Sequence, residues 1–257
     1  MADAKRGFVP EDERNFSTEA IEKMRIASRH ISWLLDEGYD LKQSAVFVGN
    51  HFLLSERQRL AIMRSVASRK QQLERKRKQV SLEELAGTEV WIDGFNTIIT
   101  LEVLQSDSLL FLCMDDAIRD LAALRGTYRI IPETGEAVRM ILDVLQEASV
   151  RKVNILLDEP VSNSGRLKTL IAETADGNYE FDLDIQICRD VDRTLYLKEY
   201  VITSDSVILD HCVSWVNLTA ECVKRKGKYG IQVWYYEDHG QCMSGRCDGT
   251  AADEERI

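Results

Sequence analysis

The stretch Glu89-Val90-Trp91-Ile92-Asp93 is followed at once by Gly94-Phe95-Asn96. Its β-branched and aromatic residues favour a buried strand, and the carboxylate of Asp93 ends that strand. The run after it, residues 96–105, is apolar and long enough for a helix. Because a buried strand followed by a helix is the repeating unit of parallel sheets, this stretch predicts an α/β domain.

The same alternation continues on the C-terminal side of this stretch. The pattern predicts further helices over residues 116–125, 134–148, 164–175 and 205–211. It predicts further strands over residues 109–113, 153–158, 183–188, 200–203 and 213–218. We therefore expect an α/β domain with a mostly parallel central sheet over residues 83–236, with a flexible acidic tail over residues 237–257.

The sequence before residue 83 has helical periodicity and predicts a small all-α region over residues 1–82. Its last helix is predicted over residues 55–78, where nine basic residues and two acidic residues leave a net charge of +7. Residues 1–80 hold 16 Lys and Arg against 11 Asp and Glu, net +5, and the remaining residues hold 17 against 32, net −15. The basic helix suits nucleic-acid phosphates, but charged helices also serve as linkers between domains.

The composition is that of a globular protein, with 44% hydrophobic residues and no apolar run long enough to span a bilayer. The first residues lack the apolar core of a signal peptide, so a cytoplasmic protein without structural disulfides is expected. Cys242 and Cys247, with His239, leave a zinc site in the tail open.

Three predicted strands end in, or are closely followed by, an aspartate: Asp93, Asp158 and Asp205. The carboxyl ends of parallel strands meet at one edge of a sheet, where ligands bind. Hard oxygen ligands select Mg²⁺ or Mn²⁺, so a divalent-metal site is the functional interpretation. The structural alternative is that each aspartate only caps the following helix.

Glu102 is the single charged residue in the apolar helical run over residues 98–104. A buried carboxylate needs a partner, and a cation shared with Asp93 is one candidate. Solvent or an arginine is the other.

Together, the motif Ile92-Asp93-Gly94-Phe95-Asn96, Glu102 in the next helix and Ile202-Thr203-Ser204-Asp205-Ser206 resemble the signature of PIN-like and NYN-type nucleases. The chain is also similar to a prokaryotic family in which a short helical region precedes a PIN-like domain. That similarity covers nearly all of residues 20–220, including the loop from Asp158 to Gly165.

The resemblance implies a three-layer PIN-like fold and a metal-dependent phosphodiesterase that cleaves RNA most often. Hydrolysis would be metal-assisted, with no protein nucleophile. The catalytic residues it implies are Asp93, Glu102, Asp158 and Asp205. These four, with Asp116, are also the candidate ligands of Mg²⁺ or Mn²⁺. The candidate substrate-binding residues are Asn96, Ser162, Ser164, Arg119 and Arg166.

Two other functions are alternatives to the nuclease. A catalytically inert PIN-like protein that binds nucleic acid or regulates a partner stays open, because PIN-like folds also serve as scaffolds. A haloacid-dehalogenase-like phosphatase is disfavoured, because Phe95 occupies the position of its second aspartate. The sequence leaves a homodimer open as well.

Overall fold

A computed structural model describes residues 5–122 and 126–234 of the 257-residue chain. The N-terminal region is helical, as the sequence predicts, and its longer helices begin at Ser or Asp residues whose side chains accept a backbone N–H. The helices of this region are α1 (Asp12–Asn15), α2 (Thr18–Asp36), α3 (Leu41–His51), α4 (Glu56–Ser65) and α5 (Arg69–Lys78).

The prediction of one continuous basic helix over residues 55–78 is wrong, because the chain turns between α4 and α5. Val66 is extended, with φ −91° and ψ 147°, and Ser68 starts a second helix. Ser68 and Gln71 form a capping box, as Ser55 and Gln58 do at the start of α4. The repeated Ser-x-x-Gln pattern was the local signal for this break.

The rest of the chain contains a central sheet in which every pair of neighbouring strands is parallel. Its strand order is β1-β8-β7-β2-β5-β6. The prediction of an α/β fold with a mostly parallel sheet behind a helical region is therefore confirmed. The strands are β1 (Gln79–Val80), β2 (Glu89–Asp93), β5 (Lys152–Asp158), β6 (Asp182–Cys188), β7 (Val201–Ile202) and β8 (Trp215–Val216).

Helices cover both faces of this sheet. Val90 and Ile92 of β2 face a core formed with α6, α7, α8 and α11, whereas Trp91 faces a second core formed with α9 and α10. This alternation is what a strand buried on both faces requires. The helices are α6 (Gly94–Gln105), α7 (Pro132–Glu147), α8 (Ser164–Ala175), α9 (Val191–Leu195), α10 (Ser206–His211) and α11 (Leu218–Arg225).

Gly94 lets α6 start directly against the sheet. A Cβ atom at this position would lie 2.7 Å from the carbonyl oxygen of Leu156 and 2.6 Å from the side chain of Leu157, both in β5. Only glycine fits so close an approach of backbone to backbone. The Asp93-Gly94 pair thus fixes Asp93 at the end of β2, beside β5.

A hairpin of β3 (Leu110–Leu112) and β4 (Ile118–Asp120) lies outside the central sheet. The predicted helix over residues 116–125 is therefore wrong. Asp116 has φ +63°, a turn conformation that reverses the chain and lets Ile118 pair with Leu112. Phe111 and Leu121 pack into the core of the helical region. The helical region and the α/β domain consequently share apolar contacts.

Within the described ranges, no helix combines the length and the apolar character needed to cross a membrane. The predicted acidic tail, with His239, Cys242 and Cys247, lies outside the described residues.

Candidate active site

The strand order places a topological switch point between β2 and β7. From β2 the chain moves outward through β5 to β6, then returns to β7 on the other side of β2 and continues to β8. In sheets of this kind, ligands bind in the crevice outside the carboxyl ends of the two strands at the switch point. Asp93 ends β2 and Asp205 follows β7, so the two flank this crevice.

Hydrogen bonds join the end of β7 to the start of α6. Thr203 Oγ1 donates to Asp93 Oδ2 over 2.8 Å and accepts from the backbone N–H of Asp205 over 3.0 Å. Asn96 Oδ1 accepts from both the N–H and the hydroxyl of Ser204, over 3.0 and 2.7 Å. Asn96 and Thr203 therefore orient the backbone that carries Asp205.

Asp205 serves as a helix cap. Its Oδ1 accepts from the N–H groups of Val207 and Ile208, over 2.8 and 3.2 Å, at the start of α10. The structural alternative considered from the sequence is thus correct for this oxygen. Oδ2 is not part of the cap, so capping and ligand binding are compatible.

The electrostatic surroundings of Asp93 are acidic. Burial is the largest cause that raises its pKa to about 8; the charges of Asp205, Asp158 and Asp192 act in the same direction, and the hydrogen bond from Thr203 opposes them. Burial also raises the pKa of Asp158, reinforced by Asp192, and the pKa of Asp192, reinforced by Asp205. We call Asp93, Asp158, Asp192 and Asp205 the acidic cluster.

Asp192 was missed by the sequence analysis. It lies on the short helix α9, which is capped by Asp190 and packed through Val191 and Leu195. The signal was present, since a capping aspartate precedes two apolar residues four positions apart. The run Arg189-Asp190-Val191-Asp192 is polar enough to be taken for a loop.

Asp93 is buried, Asp158 and Asp205 are half-buried and Asp192 is exposed, so the cluster opens to solvent.

The acidic cluster fits a hard divalent cation by its donor chemistry, because carboxylate oxygens at close quarters repel one another unless a proton or cation intervenes. Carboxylates are the charged neighbours with the largest effect on the pKa values of Asp93, Asp158 and Asp192. Over residues 5–122 and 126–234, no three potential ligands converge closely enough to hold a metal ion as they stand. The fit is therefore one of charge and ligand type.

Glu102 does not join the acidic cluster. It lies nine residues after Asp93, about 13 Å along the helix. Its buried carboxylate pairs with Arg6 Nε over 2.8 Å and accepts from the hydroxyls of Tyr128 and Thr134. Burial raises the pKa of Glu102, which these partners offset only in part. The partner of Glu102 is therefore an arginine, one of the alternatives that the sequence left open. The prediction that Glu102 shares a cation with Asp93 is corrected.

Asp116 is likewise separate from the cluster. It lies in the turn between β3 and β4 and pairs with Lys76 of α5, whose Nζ is 3.0 Å from Oδ2. Its carboxylate thus joins the helical region to the hairpin.

Arg119 is buried and fully engaged within the protein. Its Nη2 lies 2.6 Å from Asp115 Oδ2, and its Nε donates to the carbonyl of Ser204 over 2.6 Å. Its Nε, Nη1 and Nη2 atoms all donate to groups within the protein, so the expectation that it contacts substrate phosphate is corrected. Arg75 of α5 binds the same carboxylate, with Nη1 2.7 Å from Asp115 Oδ2.

Hydrogen bonds between serine hydroxyls and backbone groups hold the loop before α8 in place. Ser164 Oγ lies 2.7 and 2.6 Å from the carbonyl oxygens of Asp158 and Val161, which share its one O–H, and Ser162 Oγ accepts from the N–H of Tyr128. These hydroxyls shape the loop that follows Asp158. Arg166, in the first turn of α8, is exposed and keeps its place as a candidate for phosphate contact.

Most of the basic residues of α4 and α5 have partners inside the protein, which weakens the prediction that these helices form a nucleic-acid-binding surface. Lys78 Nζ, for example, donates to the carbonyls of Leu209 and Asp210 at the end of α10. The others with internal partners are Arg57, Arg59, Arg64, Arg75 and Lys76. Arg69, Lys70 and Arg77 are exposed.

Comparison with known proteins gives two family matches. Residues 82–221 match a domain of unknown function (DUF5616), and residues 23–78 match a protein of unknown function (DUF434). The chain is 34% identical over 200 residues to the uncharacterized protein MJ0935 of Methanocaldococcus jannaschii, covering 77% of this chain and 95% of that protein. No solved structure matches.

Proposed function

This chain belongs to the DUF5616 family, and we propose that its α/β domain is a PIN-like, divalent-metal-dependent nuclease that hydrolyses RNA. One observation carries the proposal. The acidic cluster lies at the switch point of a parallel sheet, and the carboxylates of Asp205, Asp158 and Asp192 all raise the pKa of buried Asp93. Such a group of carboxylates favours a cation, and a bound cation in turn favours an anionic substrate.

Mg²⁺ or Mn²⁺, when bound, supplies the Lewis acidity for phosphodiester hydrolysis. Asp93, Asp158, Asp192 and Asp205 would hold it. Thr203 fixes the carboxylate of Asp93, and Asn96 fixes the backbone that precedes Asp205. Arg166 would contact a substrate phosphate from the start of α8.

The inert alternative is a PIN-like protein that binds nucleic acid without cutting it. It stays open because PIN-like folds also serve as scaffolds. Binding would then use the exposed basic residues Arg69, Lys70 and Arg77 of α5.

A cleavage assay separates the two functions. The wild-type protein, Asp93→Asn and Asp143→Asn are incubated with single-stranded and structured RNA and DNA, with Mn²⁺, with Mg²⁺ and with a chelator. Asp143 is an exposed carboxylate on α7, bonded to Tyr179, and it serves as the matched control. We expect metal-dependent cleavage of RNA by the wild type and the control, and none by Asp93→Asn.

Equal cleavage by all three proteins would contradict the assignment, because a contaminating nuclease or another site would then be responsible. Binding of RNA without cleavage under every metal condition would favour the inert alternative.

A further inference from the structure

A buried network of two arginines and one aspartate links the helical region to the active-site segment over residues 203–206. Its members are Arg75 of α5, Asp115 of the hairpin turn and Arg119 of β4, all of them buried. Arg75 Nη1 and Arg119 Nη2 lie 2.7 and 2.6 Å from Asp115 Oδ2. Arg119 Nη1 also donates to Asp115 Oδ1 over 2.9 Å.

The two arginines grip the backbone on either side of Asp205. Arg119 Nε donates to the carbonyl of Ser204 over 2.6 Å, and Arg75 Nη2 donates to the carbonyl of Ser206 over 3.2 Å. Arg75 Nε is also 2.7 Å from Asp210 Oδ1 in α10, the helix that Asp205 caps. Asp205 is therefore flanked by two carbonyls, each held by a buried guanidinium.

We propose that Arg75 is a positioning residue for Asp205, through which the helical region sets the geometry of the acidic cluster. The inference rests on the proposed nuclease function, since it assigns Asp205 a role in binding the cation. Arg75 would touch neither substrate nor cation and acts through the backbone of Ser206, the side chain of Asp210 and, by way of Asp115, Arg119.

The chemistry of the network explains why an arginine is used. A guanidinium presents several donors in one plane, so Arg75 satisfies two carboxylates and one carbonyl at once. A lysine offers a compact charge that would keep the pairing with Asp115 but lose the fixed fork. Groups that orient a metal ligand typically change metal affinity by about 10-fold to 100-fold when they are removed.

Arg57 provides a matched control. It is also an arginine of the helical region, it pairs with Asp12 over 2.8 Å, and it donates to the carbonyls of Gly7 and Leu121. Its replacement breaks a comparable set of bonds without touching residues 203–206.

The experiment compares wild type, Arg75→Met, Arg75→Lys and Arg57→Met in the full-length protein. Amide hydrogen exchange is followed in peptides over residues 203–208, relative to peptides from β5 in the same sample. The Mn²⁺ dissociation constant is measured by calorimetry. We expect exchange over residues 203–208 to be about tenfold faster in Arg75→Met, with Mn²⁺ bound at least about tenfold more weakly.

Arg75→Lys should shift both quantities in the same direction by a smaller factor, and it decides the question if Arg75→Met does not fold. Arg57→Met should leave both at the wild-type value. Equal exchange over residues 203–208 in the Arg75 and Arg57 variants would overturn the inference. A wild type that binds no Mn²⁺ would instead sink the nuclease proposal and, with it, the role of Arg75 in cation binding.

Discussion

Two groups of charged residues adjoin the segment over residues 203–206, one built around buried Asp115 and one around buried Asp93, and they differ in how the charge of that aspartate is compensated. Asp115 is held between Arg75 and Arg119, and although burial alone would raise its pKa, the two arginines lower it. Asp93 has Thr203 as its hydrogen-bond donor and carboxylates as its charged neighbours, and its pKa is raised to about 8. The charge of Asp115 is thus compensated by arginines of the chain itself, whereas the group around Asp93 favours a proton or a cation.

The neighbouring charges indicate which buried aspartates have a structural role. Burial alone does not distinguish Asp115 from Asp93, because both aspartates are buried. The partner does. An arginine within the chain marks a carboxylate that stabilises the fold, and acidic neighbours mark one that is available to a ligand.

The largest expected effect comes from removing charge in the compensated group. Asp115→Asn removes the acidic partner that buried Arg75 and Arg119 share, and Arg75 keeps only Asp210 from this network. We expect the free energy of unfolding to fall by about 3 to 5 kcal/mol. Urea denaturation followed by circular dichroism measures it, with exposed Asp143→Asn as the control. A loss no larger than that of the control would mean that the network contributes nothing to stability.

In the acidic cluster, the same substitution should act in the opposite direction. With the metal chelated, folded Asp93 keeps a proton that the unfolded chain releases above its ordinary pKa of 3.8. The free energy of unfolding should therefore fall as the pH rises from about 4 to about 8, with a slope of up to about 1.4 kcal/mol per pH unit, and then level off.

Asp93→Asn removes this titration, so its stability should vary less over the same pH range and should exceed that of the wild type at pH 8. Denaturation curves at pH 5, 6, 7 and 8 with a chelator present measure the difference. Parallel pH profiles for the two proteins would show that Asp93 is ionised at neutral pH and that its surroundings compensate it.

Glu102→Gln tests the prediction, made from the sequence, that Glu102 is a metal ligand. Because Arg6, Tyr128 and Thr134 occupy this carboxylate, we expect the Mn²⁺ affinity of the variant to stay within about twofold of the wild type. Calorimetric titration measures it. A loss of tenfold or more would return Glu102 to the set of metal ligands.

The smallest effect is expected at the exposed pair of Lys76 and Asp116. Solvent screens this ion pair, so Lys76→Met should cost less than about 1 kcal/mol in urea denaturation. A cost equal to that of Asp115→Asn would show that exposed and buried contacts between α5 and the hairpin are equivalent.

The strands that carry the site were predictable from local sequence. The strand over residues 89–93 and the helix over residues 164–175 were predicted with the observed bounds, because their apolar patterns are decided locally. The strand-end aspartates Asp93 and Asp158 followed from the same patterns. The switch point did not, since strand order depends on how distant segments pair.

The errors also have physical causes. Residues 118–120 form a strand because β3 pairs with them, and no periodicity in so short a segment indicates that partner. The pairing of Glu102 with Arg6 joins residues 96 positions apart, so the sequence showed a buried charge but not its counter-charge. Asp192 was hidden in a polar run whose short helix is stabilised by packing in the core.

The most direct test of the account is the titration of Mn²⁺ into the chelator-treated wild type, Asp93→Asn and Asp143→Asn, with heat followed by calorimetry at pH 8. We expect the wild type and Asp143→Asn to bind Mn²⁺ saturably and with equal affinity. The affinity of Asp93→Asn for Mn²⁺ should be weaker by more than about 100-fold. Equal binding by all three proteins, or no binding by the wild type, would contradict the claim that the acidic cluster is a cation site.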